Sequence, residues 1–343
     1  MTWTDRPVLV TGGASFIGSH LVDALIRRGA QVRVADDLSS GLKGNLEVHL
    51  KANRVALLTE DLRRPGAALK ATQGIQTVFH LAAAHGGRGY VDRHQAACAE
   101  NFLLDGLVFQ ACRENKVEQI TYASSGCVYP NHIQTDPKKI LYLTEEMVGP
   151  PYDADNMYGW VKLMAEMTLK AFAKEWGMKT AACRYFTVYG PRGHENHAII
   201  AMIARAFIKQ DPYEVWGDGS QIRNWTFVED IVEGTILAAE KITDGGAVNL
   251  GTMERIQVID AVRRVLELAD HKPKIKFRPD MPTGPLNRVA DNALAKRLLS
   301  WSPKVKFADG LKKTFDWYFT SKRPERIKAP LERLLTERGI HSD

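Results

Sequence analysis

A glycine-rich turn near the N-terminus limits the possible folds more than any other part of the sequence. The short apolar run at residues 8–10 precedes the turn, and residues 16–28 follow it with the spacing of an amphipathic helix. Gly12 permits a tight turn, and Gly18 lets the helix pack closely against the strand. The N-terminus of a helix presents free N–H groups and the positive end of its dipole, which suit a pyrophosphate. The turn therefore predicts a dinucleotide-binding unit.

An acidic residue lies where such a unit needs one. Asp36 ends the second apolar run, residues 31–36. A carboxylate there accepts hydrogen bonds from the adenosine ribose and repels a 2′-phosphate, so the predicted cofactor is NAD rather than NADP. Asp37 is a weaker candidate for a second contact, and Asp61 with Leu62 either holds the adenine or forms a simple turn. We predict the remaining NAD contacts at Gly12, Ser15, Phe16, Ile17, Gly18, Leu81, Ala82, Ala83, Asn101, Tyr158, Lys162 and Tyr185.

Strand-like and helix-like segments alternate through the N-terminal half. Helical stretches lie notably at about 91–115 and 156–176. This alternation predicts an α/β fold with a Rossmann doubly wound parallel sheet. The apolar runs typical of its buried strands lie at residues 8–10, 31–36, 55–59, 77–82, 120–125 and 180–185.

The length of the chain and the change of pattern after about residue 186 indicate two lobes. At 343 residues the chain exceeds one domain of roughly 150 residues. We expect an NAD-binding Rossmann domain at residues 1–185, to which residues 229–252 return. Residues 186–228 and 253–320 are expected to form a smaller mixed α/β substrate lobe. The charged residues 321–343 are expected to be a peripheral tail with a short helix.

Composition argues against several classes of protein. Lys and Arg number 46 and Asp and Glu 40, and these charges are scattered rather than clustered, which argues against a nucleic-acid partner. No apolar run reaches the ~18 residues of a membrane span. The four cysteines form no CxxC pair or disulfide-like framework, and the first residues lack the features of a signal peptide. We therefore expect a cytoplasmic protein without a metal site.

Tyr158 and Lys162 lie one helical turn apart and share a helical face. Such a pair also arises by chance, as at Tyr318 and Lys322, but the first pair follows the fifth strand, at whose end Ser125 lies. The pKa of tyrosine is about 10, and a nearby ammonium lowers it by stabilising the phenolate. We predict that Ser125 positions a substrate hydroxyl, that Tyr158 removes its proton, and that Lys162 also binds the nicotinamide ribose.

Taken together, these residues resemble the extended short-chain dehydrogenase/reductase family of nucleotide-sugar epimerases and dehydratases. The resemblance runs from about residue 7 to residue 319 and is strongest with the GDP-mannose 3,5-epimerase branch. The most specific match is Cys127, shortly after the serine pair. The matching stretches are residues 85–90 (HGGRGY), 124–130 (SSGCVYP), 213–219 (YEVWGDG) and 223–227 (RNWTF).

The resemblance implies a reaction through a transient 4-keto sugar. Oxidation at C4 acidifies the hydrogens on C3 and C5, and an acid and a base on opposite faces can then invert those centres. By resemblance, Cys127 and His197 form that pair, with His194 as a competitor of His197. A small buried cysteine and a polar residue at a helix start are the alternative interpretations. NAD is regenerated in each cycle.

The resemblance also implies the residues that bind a nucleotide-diphosphate sugar. Arg223 and Arg288 are expected to clamp the diphosphate, because guanidinium forks suit phosphate oxygens. Gly87 and Arg88 border the sugar, and residues 214–216 border the nucleoside. A homodimer through the two helical stretches named above is also expected. The expected substrate contacts are Gly87, Arg88, Ser125, Cys127, Thr187, Arg192, His197, Glu214, Trp216, Arg223 and Arg288.

Two positions depart from the family pattern and keep other reactions open. Ser15 replaces the middle glycine of the phosphate turn, and Thr187 replaces the asparagine usual in GDP-mannose 3,5-epimerases. Thr187 followed by Arg192 is typical of UDP-glucuronate 4-epimerases. The alternatives are a 4-epimerase of UDP-glucuronate, UDP-glucose or a GDP-sugar, a 4,6-dehydratase, and a non-catalytic NAD-binding regulator. The favoured hypothesis is an NAD-dependent nucleotide-sugar epimerase of the 3,5 type.

Overall fold

The computed structural model describes residues 2–340, so residue 1 and residues 341–343 of the expected tail lie outside the described part. The strands, in chain order, are β1 (Pro7–Thr11), β2 (Gln31–Asp36), β3 (Val55–Thr59), β4 (Thr77–His80), β5 (Gln119–Ser125), β6 (Lys179–Tyr185), β7 (Val188–Tyr189), β8 (Tyr213–Trp216), β9 (Ile222–Arg223), β10 (Thr226–Phe227), β11 (Asp244–Leu250), β12 (Ile256–Gln257), β13 (Ile275–Arg278) and β14 (Asn287–Arg288). The α-helices are α1 (Phe16–Arg27), α2 (Glu47–Lys51), α3 (Ala67–Thr72), α4 (Arg88–Arg93), α5 (Gln95–Ala99), α6 (Asn101–Glu114), α7 (Asn156–Trp176), α8 (Ala198–Phe207), α9 (Val228–Lys241), α10 (Val258–Leu268), α11 (Ala293–Leu299), α12 (Phe307–Ser321), α13 (Pro324–Lys328) and α14 (Leu331–Thr336).

A seven-stranded parallel sheet forms the centre of the first lobe. Its strand order is β11–β6–β5–β4–β1–β2–β3. β1 pairs with β2 on one side and with β4 on the other, so the order of the strands reverses at β1. Open α/β sheets bind ligands at the carboxyl ends of their strands, beside such a reversal. The predicted doubly wound sheet is confirmed, and β11 returns to it beside β6.

Helices cover both faces of the sheet, which explains its continuous apolar strands. Val8 and Val10 pack against α1 and α9, whereas Leu9 faces α3, α6 and α7. Successive side chains of a strand point to opposite faces, so all three are buried only because both faces are covered. Gly29 follows α1 in the left-handed region (φ 84°), which ends the helix as the sequence predicts.

The second lobe is built from short strands and helices around an aromatic core. Its small sheets include β13–β8 and β12–β9–β14, and α8, α10 and α12 contribute to the same core. Trp225 and Phe307 stack at its centre with ring centroids 5.3 Å apart. No helix within residues 2–340 is long and apolar enough to cross a membrane.

Two local predictions differ from the structure. The helical stretch expected at about 91–115 is divided into α4, α5 and α6. α4 ends because His94 leaves helical geometry (φ −116°, ψ 53°). The tail expected to be peripheral is packed into the core of the second lobe. Its apolar residues recur at helical spacing, so α13 and α14 bury one face each. The buried residues are Ile327, Leu331, Leu334 and Leu335.

Candidate active site

A cavity of about 650 Å³ lies at the carboxyl ends of β1, β4, β5 and β6, between the two lobes. This volume lies within the usual range of small-molecule sites. Of the predicted site residues, Arg192 alone does not line the cavity. Its backbone is left-handed (φ 66°), and its guanidinium forms an ion pair with Asp23 on α1 at 2.9 Å. The structure therefore does not bring Arg192 together with the other predicted site residues.

The glycine turn forms the floor of one end of the cavity. Gly12 has a φ of 69°, and a Cβ there would come within 2.9 Å of the backbone nitrogen of Ala82. A Cβ on Gly18 would overlap the carbonyl oxygen of Gly12, so the helix and the turn approach as closely as the sequence predicts. Ser15 precedes α1 without a capping hydrogen bond from its side chain, and no acidic residue lies in the first turn. The helix N–H groups are thus open to an anion.

Asp36 is held at the end of β2 by backbone donors. Its Oδ2 accepts a hydrogen bond from the N–H of Ala14 at 2.9 Å, and its Oδ1 accepts one from the N–H of Leu38 at 2.9 Å. Burial raises its pKa, and the two N–H donors oppose that rise. Each oxygen retains a lone pair for a ribose hydroxyl. Together with the open turn, these residues fit NAD. Asp61 lies nearby, but its carboxylate is paired with Arg63 at 2.9 Å.

Ser125, Tyr158 and Lys162 converge from β5 and α7. The Oγ of Ser125 accepts a hydrogen bond from the N–H of Cys127 at 3.1 Å, which fixes the short turn after β5. The Nζ of Lys162 lies 5.5 Å from the ring centre of Tyr158 and 4.3 Å from that of Tyr122. The structure therefore places the three predicted groups around one end of the cavity.

The electrostatics of the tyrosine and lysine differ from the expectation. Burial raises the pKa of Tyr158 well above its ordinary value and lowers the pKa of Lys162. Both shifts arise because burial disfavours the charged form. Asp105, which the sequence analysis missed, opposes the shift of Lys162. Its carboxylate accepts a hydrogen bond at 2.6 Å from the hydroxyl of Tyr122, on whose ring the ammonium lies.

Cys127 lies beside an arginine network. Arg288 donates a hydrogen bond from Nη1 to the sulfur at 3.3 Å. The same guanidinium pairs with Asp155 at 3.1 Å, and Arg88 pairs with Asp155 at 2.8 Å. Burial raises the pKa of Asp155, but the two guanidinium groups outweigh it and hold the pKa below its usual value. Asp155, which the sequence did not predict, thus ties Arg88 on α4 to Arg288 on β14.

Arg223 adds a third guanidinium to this wall. Its guanidinium donates hydrogen bonds to the backbone carbonyl oxygens of Ile222 and Thr283. Burial, together with the charges of Arg288 and Arg88, lowers its pKa to about 9. These three guanidinium groups face two carboxylates, because Asp92 also pairs with Arg88, at 2.7 Å. The wall therefore keeps a net positive charge, which suits a diphosphate.

Three histidines, His85, His194 and His197, line the cavity together with the glycine turn and Tyr158. The ring of His85 lies 4.7 Å from that of Tyr158 and 6.1 Å from that of His197. Burial lowers the pKa of His197 well below 6.5, and its Nδ1 has no hydrogen-bond partner among the described residues. His197 is therefore neutral, and a neutral imidazole can accept a proton. His194 lies 3.4 Å from the Oγ of Ser15.

The far end of the cavity, expected to hold the nucleoside, is formed by the second lobe. Glu214 pairs with Arg278 at 2.9 Å. The buried guanidinium of Arg205 lies 5.7 Å from the ring centre of Trp216, and its Nε has no partner in the described part of the chain. The sequence analysis missed Arg205, because on α8 it looks like one charge in an apolar helix.

The comparisons with known proteins agree with this site. Residues 8–251 match the model of the NAD dependent epimerase/dehydratase family, so the chain belongs to that family. It is 32% identical to the GDP-mannose 3,5-epimerase 1 of Oryza sativa subsp. japonica over 315 residues, which are 90% of this chain and 81% of the rice protein. NAD is the cofactor of this family, whose members are nucleotide-sugar epimerases and dehydratases.

Solved structures of 4-epimerases share the fold. The UDP-glucose 4-epimerase of Thermotoga maritima with UDP-glucose has a TM-score of 0.82 at 28% identity, covering 92% of this chain and 99% of its own. The UDP-glucuronic acid 4-epimerase of Bacillus cereus, in complex with UDP-glucuronic acid and NAD, has a TM-score of 0.81 at 28% identity, covering 91% and 98%. The family is therefore shown, while its relatives differ in the carbon that they invert.

Proposed function

We propose that this protein is an NAD-dependent epimerase of a GDP-mannose-type nucleotide sugar that inverts C3, C5 or both. The observation that carries the proposal is the sulfur of Cys127, which lines the cavity shortly after Ser125 and accepts a hydrogen bond from Arg288 at 3.3 Å. A reaction confined to C4 needs no thiol there. The similarity to the rice GDP-mannose 3,5-epimerase supports the same branch.

The NAD end of the cavity prepares the sugar for inversion. When bound, NAD supplies the oxidation at C4 and its reversal, and the resulting ketone makes the hydrogens on C3 and C5 acidic. Ser125 positions the C4 hydroxyl, and Tyr158 takes its proton and later returns it. Because burial raises the pKa of Tyr158, the tyrosine is protonated at rest, and the buried ammonium of Lys162 is the charge that favours phenolate during the reaction.

Cys127 and His197 serve as the proton-transfer pair for the inverted carbons. Burial keeps His197 neutral, so it starts as a proton acceptor. The thiol of Cys127, next to the guanidinium of Arg288, delivers a proton and is left as a thiolate beside a positive charge. Arg223 and Arg88 complete the positive wall that holds the diphosphate and the sugar.

A 4-epimerase is the second candidate. It is favoured by the similarity to the two solved 4-epimerases and by Thr187, which lines the cavity near the catalytic residues. In that reaction the keto sugar rotates in the cavity to present its other face, and Cys127 is a packing residue.

Incubation of the enzyme with GDP-mannose, UDP-glucose and UDP-glucuronate in D₂O separates the two candidates. We expect deuterium at C3 or C5 of GDP-mannose, read by NMR and mass spectrometry. Cys127→Ala should stop this exchange, whereas Cys112→Ala, a buried cysteine remote from the cavity, should not. A new C4 epimer without deuterium would replace the proposal by the 4-epimerase. Absence of turnover with all three nucleotide sugars, while NAD is bound, would favour the non-catalytic regulator.

We also propose a homodimer formed through α6 and α7. Large apolar side chains are exposed on both helices, and those of α7 recur at a spacing that places them on one stripe. They are Phe102, Leu103, Met157, Trp160, Met164 and Met167. We expect a dimer in sedimentation equilibrium that Met164→Glu dissociates and that Val48→Glu, an exposed apolar residue on α2, leaves intact. A monomeric wild-type protein would refute the interface.

A further inference from the structure

The C-terminal segment, residues 331–340, enters the cofactor cavity. Leu334 and Leu335 on α14 are buried and line it, and Arg338 and Ile340 line it beyond the helix. Two contacts fix the backbone of this segment. His94 pairs with Glu337 at 3.0 Å, and the Nδ2 of Asn196 donates to the carbonyl oxygen of Glu337 at 3.2 Å. The segment is therefore part of the cavity wall.

Arg338 crosses the mouth of the cavity. Its Nη2 lies 3.3 Å from the Oγ of Ser39 and 3.2 Å from the Oγ of Ser40, and its guanidinium carbon lies 5.8 Å from the ring centre of Tyr90. The two serines follow β2, and Tyr90 lies beyond β4. These strands flank β1, whose carboxyl end leads into the glycine turn. The guanidinium therefore joins the loop after β2 to α4 in the cavity that the glycine turn also lines.

We propose that Arg338 binds the pyrophosphate of NAD and that the C-terminal segment closes over the bound cofactor. This proposal rests on the NAD site and not on the identity of the sugar. Arg338 stands opposite the helix N-terminus, so the two would hold the pyrophosphate from both sides.

The charges at this end of the cavity support the assignment. The glycine turn presents backbone N–H groups but no cationic side chain. Arg63 also lines this end, but it is already paired with Asp61 and Glu100. Arg338 forms an ion pair with no carboxylate of residues 2–340, and its buried Nε has no hydrogen-bond partner there. It is thus a cation available for an anionic ligand.

The reach of the guanidinium is consistent with the middle of an extended dinucleotide. Burial raises the pKa of both Asp36, at the adenosine end, and Tyr158, at the nicotinamide end, and the charge of Arg338 opposes the rise at both. The charge of Arg338 therefore reaches both ends of the predicted NAD site, which fits an anionic ligand that extends between them.

Calorimetric titration of the nucleotide-free full chain with NAD, ADP and adenosine tests the assignment. Because Arg338→Gln loses a charge-assisted hydrogen bond, we expect it to bind NAD and ADP roughly 10- to 100-fold more weakly. Its affinity for adenosine, which has no phosphate, should be unchanged. Arg338→Lys keeps the charge but loses the guanidinium fork, so its affinity for NAD and ADP should lie between those of the wild type and Arg338→Gln. Arg333→Gln changes an exposed arginine of α14 and should bind NAD as the wild type does. Equal NAD affinity of the wild type and Arg338→Gln would overturn the proposal.

Hydrogen exchange gives an independent readout of closure. NAD should slow amide exchange in residues 331–340 of the wild type, and this protection should shrink in Arg338→Gln but not in Arg333→Gln. No NAD-dependent protection in the wild type would show that the segment does not close over the cofactor, whatever the sugar specificity proves to be.

Discussion

The two ends of the cavity are assembled in different ways. The NAD end comes chiefly from one continuous stretch, residues 12–38, in which the glycine turn, α1 and Asp36 follow one another along the chain. The end proposed for the sugar collects side chains from four separate segments, because no short stretch of chain can surround a sugar. These side chains are Arg88, Cys127, Arg223 and Arg288.

The difference shows in how each end is stabilised. At the NAD end, backbone groups hold the key carboxylate, since Asp36 accepts hydrogen bonds from Ala14 and Leu38. At the end proposed for the sugar, a buried carboxylate holds the arginines, since Asp155 pairs with Arg88 and Arg288. The first end therefore depends on backbone geometry and the second on long-range ion pairs. Each of the following predictions separates the two.

Tyr158→Phe should have the largest effect. Loss of the hydroxyl removes the proton-transfer group, so we expect turnover to fall by roughly 100- to 10,000-fold. NAD affinity, measured by calorimetry, should remain within about twofold, because the ring still packs against His85. Near-normal turnover would show that the proton leaves by another group.

Asp155→Asn should damage the sugar end and its stability. Removing the carboxylate takes from Arg288 its ion pair and leaves Arg88 with its pair to Asp92, which costs about 3 kcal/mol of unfolding free energy. Because its pKa is held below the usual value, the carboxylate is charged above about pH 4, and the difference from the wild type should shrink only below that pH.

Urea unfolding measures this cost, and NAD titration should show little change. The matched control is Asp153→Asn, whose half-exposed carboxylate pairs with His132. The control should change stability by less than about 0.5 kcal/mol. Equal effects of the two variants would mean that the ion-pair network is not what holds the sugar end together.

Gly18→Ala should damage the NAD end alone. Its Cβ would overlap the carbonyl oxygen of Gly12, so the turn must shift, at a cost of about 2 kcal/mol in stability. NAD affinity should fall while the pairing of Asp155 with its arginines is unaffected. Gly106→Ala on α6 is the control, because nothing lies within 4 Å of its Cβ. That variant should be neutral or slightly stabilising.

The smallest effect is a pH dependence of stability at a contact between the two lobes. His20 on α1 bonds the carbonyl oxygen of Pro191 at 3.0 Å, and burial lowers its pKa from 6.5 to about 4. Between these values the unfolded chain binds the proton and the folded chain does not, so stability falls as the pH drops from 6.5. We expect a loss of about 1–2 kcal/mol between pH 7.5 and pH 5 that His20→Gln removes. An unchanged pH slope in that variant would contradict the assignment.

The sequence predicted the elements of the Rossmann sheet well because their signals are local. The strands at residues 31–36 and 55–59 and the helix at 156–176 have the predicted bounds. The single helix expected at about 91–115 was wrong because the chain leaves helical geometry at His94. A histidine, unlike proline or glycine, does not indicate the end of a helix in the sequence. The tail was misjudged because its charges outnumber its apolar residues, although the buried ones recur at helical spacing.

The sequence alone determined the NAD turn, the acidic residue Asp36 and the pairing of Tyr158 with Lys162, because each lies within a short stretch of the chain. Only the tertiary structure decided that Asp155 pairs with Arg288, that Arg192 turns away from the cavity, and that Arg338 reaches Ser39 from the other end of the chain. Such contacts depend on how distant segments pack together, and no spacing within one segment encodes that packing.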